Sequence, residues 1–309
     1  MTHQSDTRVV AIISAFRPPE DLPGRVRDLG SQVPHVVVVD DGSDDAGTNP
    51  VLHELESMGC TVVRMATNSG IAAALNTGIN VAIDLFTPDF VLTLDQDSAL
   101  DAGYIAAALS TFDKSKAEGV DAGLICAQSH NGLNVPLISP EAAFPEAFDP
   151  MQSGALIPLS TLRKVGLLDE RLFIDFVDSE FNLRVRSHGL ATLIGHGCNM
   201  THALGQAQPM MLFKWHVSVL GVKRNVHTHA PFRVYYMTRN NIYLWRQYGA
   251  RFPGWLLLRL GFQLQSDILR LLYGNNRKQQ LHAFARGFWD GWHGRLGKME
   301  PWLQLRINA

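Results

Sequence analysis

Phe90-Val91-Leu92-Thr93-Leu94-Asp95-Gln96-Asp97-Ser98 is an apolar, β-prone run that ends in two carboxylates two residues apart. Such a run without polar alternation predicts a strand buried on both faces, with the acids at its carboxyl end. Working outward, the same unit recurs at 9–14, 36–40 and 61–65, and the second of these ends in Asp40-Asp41-Gly42-Ser43. Helix-length segments near 20–30, 50–58, 70–86 and 101–117 separate the runs. This alternation predicts an α/β fold, an open and mostly parallel sheet with helices on both faces. Ligands of such sheets lie beyond the carboxyl ends of the strands. Ser14, Asp40, Asp41, Asp95, Gln96 and Asp97 stand there.

Further along, 121–170 reads as irregular, with a short strand at 152–158, and a helix is predicted from Asp178 to His188, closed by Gly189. After 205 the alternation gives way to helices at 235–247, 255–273 and 281–289. In the middle one Leu257, Leu260, Leu264, Ile268 and Leu271 share one face, and Arg259, Gln263, Ser266 and Arg270 another. The expected division is an α/β ligand-binding domain over 1–205 and a helical region over 206–309. Charge divides the same way. Residues 1–205 hold 12 Lys and Arg against 26 Asp and Glu; residues 206–309 hold 15 against three. Either the basic region meets an anionic partner, or the two halves dock on each other.

Hydrophobic residues at 46% and charged residues at 18% fit a packed globular chain and exclude disorder. Cys60, Cys126 and Cys198 form no CxxC pair, which suits a reducing compartment. The polar N-terminus lacks a signal-peptide pattern, and no apolar run approaches the ~18 residues of a membrane span. A cytoplasmic protein is expected, in peripheral contact with the inner face of the membrane if the basic region seeks anionic lipid.

Asp95 and Asp97 have the spacing to chelate a hard divalent cation that could bridge a diphosphate. The alternative is a surface turn in which Asp97 or Ser98 caps the next helix. A carboxylate at Asp40 or Asp41 can accept the imide N–H of uracil or thymine; Asp-Gly is also a common turn. In Asn68-Ser69-Gly70-Ile71-Ala72-Ala73-Ala74-Leu75-Asn76, close approach of a ligand would explain the small residues, and so would packing of the helix on the sheet. Arg171-Leu172-Phe173-Ile174-Asp175-Phe176-Val177-Asp178-Ser179-Glu180 places three acids among apolar residues, a setting for a general base or a plain helix cap. His202 could complete a metal site or be structural.

Taken in order, these motifs resemble the family 2 inverting glycosyltransferases of the GT-A fold. More narrowly they resemble bacterial dTDP-rhamnosyltransferases of O-antigen and rhamnolipid assembly. The likeness rests on NSGIAAALNTG, LDQDS, SGALI at 153–157, LFIDFVDSEFNLR, the histidine of THALG, PFRVYYMTRN at 231–240 and FWDGWHGRLG at 288–297. It implies that Asp40 and Asp41 face the nucleotide base, and that Asp95 and Asp97 bind Mg²⁺ or Mn²⁺ and the diphosphate with His202 as a further metal ligand. Asp178 would be the catalytic base, and Arg239 would touch the diphosphate or a lid. The expected nucleotide-binding set is Ser14, Asp40, Asp41, Asn68, Gly70, Asn76, Asp95, Gln96 and Arg239. The first strand departs from the family's Thr-Tyr-Asn, ending in Ser14-Ala15-Phe16-Arg17.

The implied partners are dTDP-L-rhamnose and a glycan or glycolipid acceptor, with a membrane or homodimer contact for the helical region and no nucleic acid. A UDP- or GDP-linked sugar would use the same reaction. A nucleotidyltransferase would also want strand-end carboxylates, but needs a Gly-rich triphosphate loop with a basic residue, for which Arg17 is the one candidate. A non-catalytic carbohydrate-binding protein would have lost acids that are all present here. A dinucleotide dehydrogenase is disfavoured, since no G-x-G-x-x-G follows the first strand.

Overall fold

The structure is a computed structural model, and it describes residues 7–202, 207–212, 215–216, 218–219, 222–223, 225–227, 229–273 and 277–308. The chain divides into two compact units, Met1–Phe173 with Val177–Ala203, and Ile174–Phe176 with Leu204–Ala309.

In the first unit the strands are β1 (Val9–Ala15), β2 (His35–Asp40), β3 (Thr61–Arg64), β4 (Phe90–Asp95), β5 (Ser98–Leu100), β6 (Ala122–Cys126), β7 (Ser129–His130), β8 (Leu133–Asn134), β9 (Ala155–Pro158), β10 (Ala191–Ile194) and β11 (Asn199–His202). The helices are α1 (Leu22–Leu29), α2 (Thr48–Ser57), α3 (Ile71–Phe86), α4 (Tyr104–Ala117), α5 (Leu159–Val165) and α6 (Val177–Ser187). The main sheet runs β10-β6-β9-β4-β1-β2-β3. Its pairs are parallel except those of β9, which runs against β4 and β6. The mostly parallel α/β fold expected from the alternation is therefore present.

The strands explain the layers. All seven residues of β1 are buried, so both faces must be covered. Ala11 and Ile13 join Val36, Val38, Leu92 and Leu94 in one core with Leu22, Val26, Leu52, Leu55 and Ile105 of α1, α2 and α4. Ile12 points the other way, to α3. There Gly78 lies so close to the Ile12 and Val39 side chains that a Cβ would collide with them. Ala72 and Ala74 are fully buried. Helix-on-sheet packing thus accounts for the small residues of α3.

A second sheet, β5-β11-β7-β8, was not legible in the sequence. Its strands have two to four residues, too few to show a period. The same shortness hid β6 and α5 inside the stretch read as irregular, and β10 beyond it. Cys126 and Cys198 are buried free thiols, and burial pushes the Cys198 thiol up to about 12. Neither is suited to thiolate chemistry.

In the second unit the helices are α7 (Pro231–Tyr248), α8 (Pro253–Tyr273), α9 (Arg277–Trp292) and α10 (Pro301–Asn308), after short hairpins within 207–227. α8 has the amphipathic division read from the sequence, but the faces are turned round. Gln263 and Asp267 are buried, while Leu257 is 68% and Leu264 53% exposed. The side chains of Ser266, Arg270 and Leu271 lie outside the described residues.

Candidate active site

Strand register gathers the expected residues of the first unit at one edge. Ser14 of β1 lies opposite Asp95 of β4, and Ala15 opposite Asp40 of β2. Asp40 accepts the Ser43 N–H at 3.2 Å and the Ser43 hydroxyl, closing the turn after β2. Asp41 accepts the N–H groups of Ser69 at 2.6 Å and Gly70 at 2.8 Å. It thereby caps α3 from a neighbouring strand, and its charge complements the helix N-terminus.

Gly70 has φ 96° and ψ 161°, a conformation almost restricted to glycine. A Cβ there would strike the Phe173 carbonyl, which accepts the Ile71 N–H at 3.0 Å. The close approach that Gly70 permits is with the protein's own backbone. Gly70→Ala is expected to cost about 2–4 kcal/mol from strain and collision. A thermal melt checks this; an unchanged midpoint would contradict the account.

The 95–98 turn is held from several sides. Gln96 clamps the Phe16 backbone, accepting its N–H at 2.9 Å and donating to its carbonyl at 3.1 Å. Arg25 donates to the Asp97 carbonyl at 2.8 Å. Gln152 donates to Asp95 Oδ1 at 2.5 Å, and the Asp95 N–H donates to Ser153 Oγ at 3.0 Å. Ser98 Oγ lies 2.8 Å from Ser153 Oγ and 2.9 Å from His202 Nδ1. His202 arrives by register, since β11 runs antiparallel to β5 with His202 opposite Ser98.

His202 Nδ1 is then 3.1 Å from Asp97 Oδ1. Ligand atoms of Asp95, Asp97 and His202 all lie within 4.8 Å of one another, and all three residues are half-buried. Two carboxylates and an imidazole, reachable from solvent, suit Mg²⁺ or Mn²⁺. The hydrogen bond to Asp97 raises the His202 pKa against the opposing effect of burial. Burial pushes Asp97 up, but the His202 hydrogen bond and charge outweigh it and the net shift is down. With its ring protonated, His202 forms an imidazolium–carboxylate pair with Asp97.

Asp178 lies in the first turn of α6, half-buried, and accepts the Ser179 N–H at 2.8 Å. Its two acidic neighbours are each held by an arginine: Glu180 by Arg184 at 2.8 Å and Asp175 by Arg233 at 2.5 Å. The segment 149–153 links the α6 start to the 95–98 turn. At one end Asp149 accepts the Ser179 hydroxyl at 2.9 Å; at the other Gln152 and Ser153 hold Asp95. So short a segment reaches at most ~18 Å fully extended, which bounds how far the start of α6 can lie from the Asp95 turn.

Phe173, Asp175 and Phe176 all have positive φ, at 67°, 61° and 63°. Three strained residues this close together persist only if their surroundings over-determine them. Within the second unit Asn240 donates to the carbonyls of Ile174 at 2.9 Å and Asp175 at 2.8 Å, and Arg233 grips both Asp175 oxygens. Asp178 follows two residues after this turn. Arg233→Gln should relax the turn and lower kcat ~10-fold, because small misplacements of the expected base, Asp178, are costly. Donor affinity should be unchanged. Steady-state kinetics with donor calorimetry checks it, and an unchanged kcat would overturn it.

Not every expected residue presents itself to a ligand. The Asn76 amide is taken up by both backbone groups of Leu168 and by Glu170, at 2.8–3.0 Å. Gln96 is likewise committed to Phe16. Asn68 is half-buried in the loop before α3. Arg239, on α7 in the second unit, is 1% exposed, donates to the Gly297 carbonyl at 2.5 Å and to Asn240 at 2.9 Å, and stacks 4.7 Å from the Tyr236 ring. Sequence reasoning gave no role to Asp149, Gln152 or Ser153, and read Ser98 only as a candidate helix cap. Ser153 stood inside a recognised motif, but no spacing rule connects it to Asp95.

The sequence model described as Glycosyl transferase family 2 matches residues 10–163, which include the strand-end carboxylates and the 149–153 segment. The chain belongs to glycosyl transferase family 2. A dTDP-rhamnosyl transferase from Shigella flexneri, RfbF, is 27% identical over 254 residues, covering 78% of this chain and 81% of that protein. In fold the transferase resembles S. aureus TarS 1–349 in complex with UDP-GlcNAc (TM-score 0.50, 15% identity, 93% of this chain and 73% of that one). It also resembles GalNAc-T7 with UDP, GalNAc and Mn²⁺ (TM-score 0.59, 12% identity, 94% of this chain and 56% of that one). The GT-A arrangement and the glycosyltransferase activity implied by the sequence motifs therefore hold.

Proposed function

We propose that this transferase moves L-rhamnose from dTDP-L-rhamnose to a hydroxyl of a glycan or glycolipid acceptor, with inversion at the anomeric carbon and with Mg²⁺ or Mn²⁺ bound at Asp95, Asp97 and His202. One observation supports the reaction: the 149–153 segment hydrogen-bonds the Asp95 turn at one end and the start of α6 at the other. The rhamnose and dTDP assignments are carried over from the Shigella flexneri relative. A bound divalent ion would neutralise charge on the diphosphate leaving group.

The chain's own groups do the rest. Strand-end residues at Ser14 and Asp40 bound the nucleotide site, and Asp41 keeps the α3 N-terminus in place beside it. Asp178 accepts the proton of the acceptor hydroxyl as its oxygen bonds to the anomeric carbon and the sugar–phosphate bond breaks. One displacement on the face opposite the leaving group inverts that carbon.

The deciding experiment is a donor screen by thermal shift in Mn²⁺. Donor at 100 times its Kd should stabilise the fold by about 2.7 kcal/mol. The largest shift is expected with dTDP-rhamnose. A larger shift with a UDP- or GDP-sugar would replace the donor, and retention in the NMR spectrum of the product would remove the single displacement.

A further inference from the structure

Helix α8 is inverted for a helix bathed in water. Leu257, Leu264, Ile268 and Leu272 lie on one side at helical spacing and are each about half exposed or more, while Gln263 and Asp267 are buried and hydrogen-bonded to each other at 3.0 Å. The next two helices also leave large apolar groups uncovered. Phe288 and Trp292 stack one turn apart on α9, and Trp302 stands out on α10. So much uncovered apolar surface marks an interaction face.

The charge pattern says what covers it. Of the three acids in 206–309, Asp267 and Asp290 are buried, and Asp290 is held by Arg286 at 2.8 Å and Tyr235 at 2.9 Å. Glu300 is the single exposed acid, against exposed Arg246, Arg277, Lys278, Arg295, Lys298 and Arg306. Two copies of so basic a region repel each other. An anionic lipid surface supplies both missing complements, acyl chains for the apolar side chains and phosphates for the cations. Exposed tryptophans are also at home at the level of lipid headgroups. No described helix is long and apolar enough to cross a membrane, so these helices would lie in the interface plane.

We propose that the exposed apolar faces of α8, α9 and α10 dock on an anionic bilayer surface. The transferase assignment gives this surface a purpose, access to an amphiphilic acceptor. The surface itself is tested without donor or metal, so either reading can fail alone. The full chain is sedimented with vesicles of equimolar phosphatidylglycerol and phosphatidylcholine, and with phosphatidylcholine alone. Binding is expected to the anionic vesicles at low salt and to weaken as salt screens the charges. Brominated lipid should quench tryptophan fluorescence in the unaltered protein. Leu264→Ser with Ile268→Ser should lower vesicle binding ~10-fold or more while transfer to a water-soluble acceptor stays unchanged. Three results would each overturn the proposal: no binding to anionic vesicles at low salt, equal binding by the double variant, or a dimer of the unaltered protein that the double variant converts to monomer.

Discussion

Asp178→Asn is expected to lower kcat by ~10²–10⁴-fold and to leave the Kd for dTDP-rhamnose within experimental error. The carboxamide keeps the size of the side chain and can still accept the Ser179 N–H at its oxygen, so the first turn of α6 should form as before. What it loses is the ability to take the acceptor's proton. The neighbouring acids cannot substitute, because Asp175 is gripped by Arg233 and Glu180 by Arg184. Single-turnover transfer with donor calorimetry separates the two effects. Full activity in the variant would show that the base lies elsewhere. A glycosyl group trapped on Asp178 of the unaltered enzyme would instead make this residue a nucleophile.

Asp97→Ala should weaken nucleotide binding in Mn²⁺ by ~10–100-fold while metal-free affinity changes little. The variant removes one of the proposed carboxylate ligands and also the partner that holds His202 at 3.1 Å. The same pair sets a pH dependence. His202 is raised above 6.5, so its ion pair with Asp97 is complete below that pH and is lost as pH rises through the folded-state value. A cation needs the unprotonated ring nitrogen, so Mn²⁺ affinity should climb over that window. Calorimetric titration on both sides of pH 6.5 checks the sign. Mn²⁺ binding independent of pH, or an unaltered Mn²⁺ response in Asp97→Ala, would remove His202 and Asp97 from the metal site.

Much of the first unit was legible in the residues themselves. Val36 to Val39 and the run from Phe90 could only be buried strands, and the acids that follow each could only stand at their ends, since a buried parallel strand leaves its polar residues to the termini. Asp178 was legible as the opening of a helix. Asn76 and Gln96 were read as ligand groups, yet their amides act on backbone 92 and 80 residues away, and such partners leave no local trace.

The sequence by itself determined an α/β sheet with carboxylates at its ligand edge, because the periods of burial and the chemistry of strand ends are local properties of the chain. The tertiary structure alone decided that His202 stands beside Asp97, since antiparallel pairing of β11 with β5 joins residues 104 positions apart in the sequence. It alone decided that the apolar side of α8 faces outward. Helical period fixes which residues share a face, but only packing against neighbouring elements fixes where that face is turned.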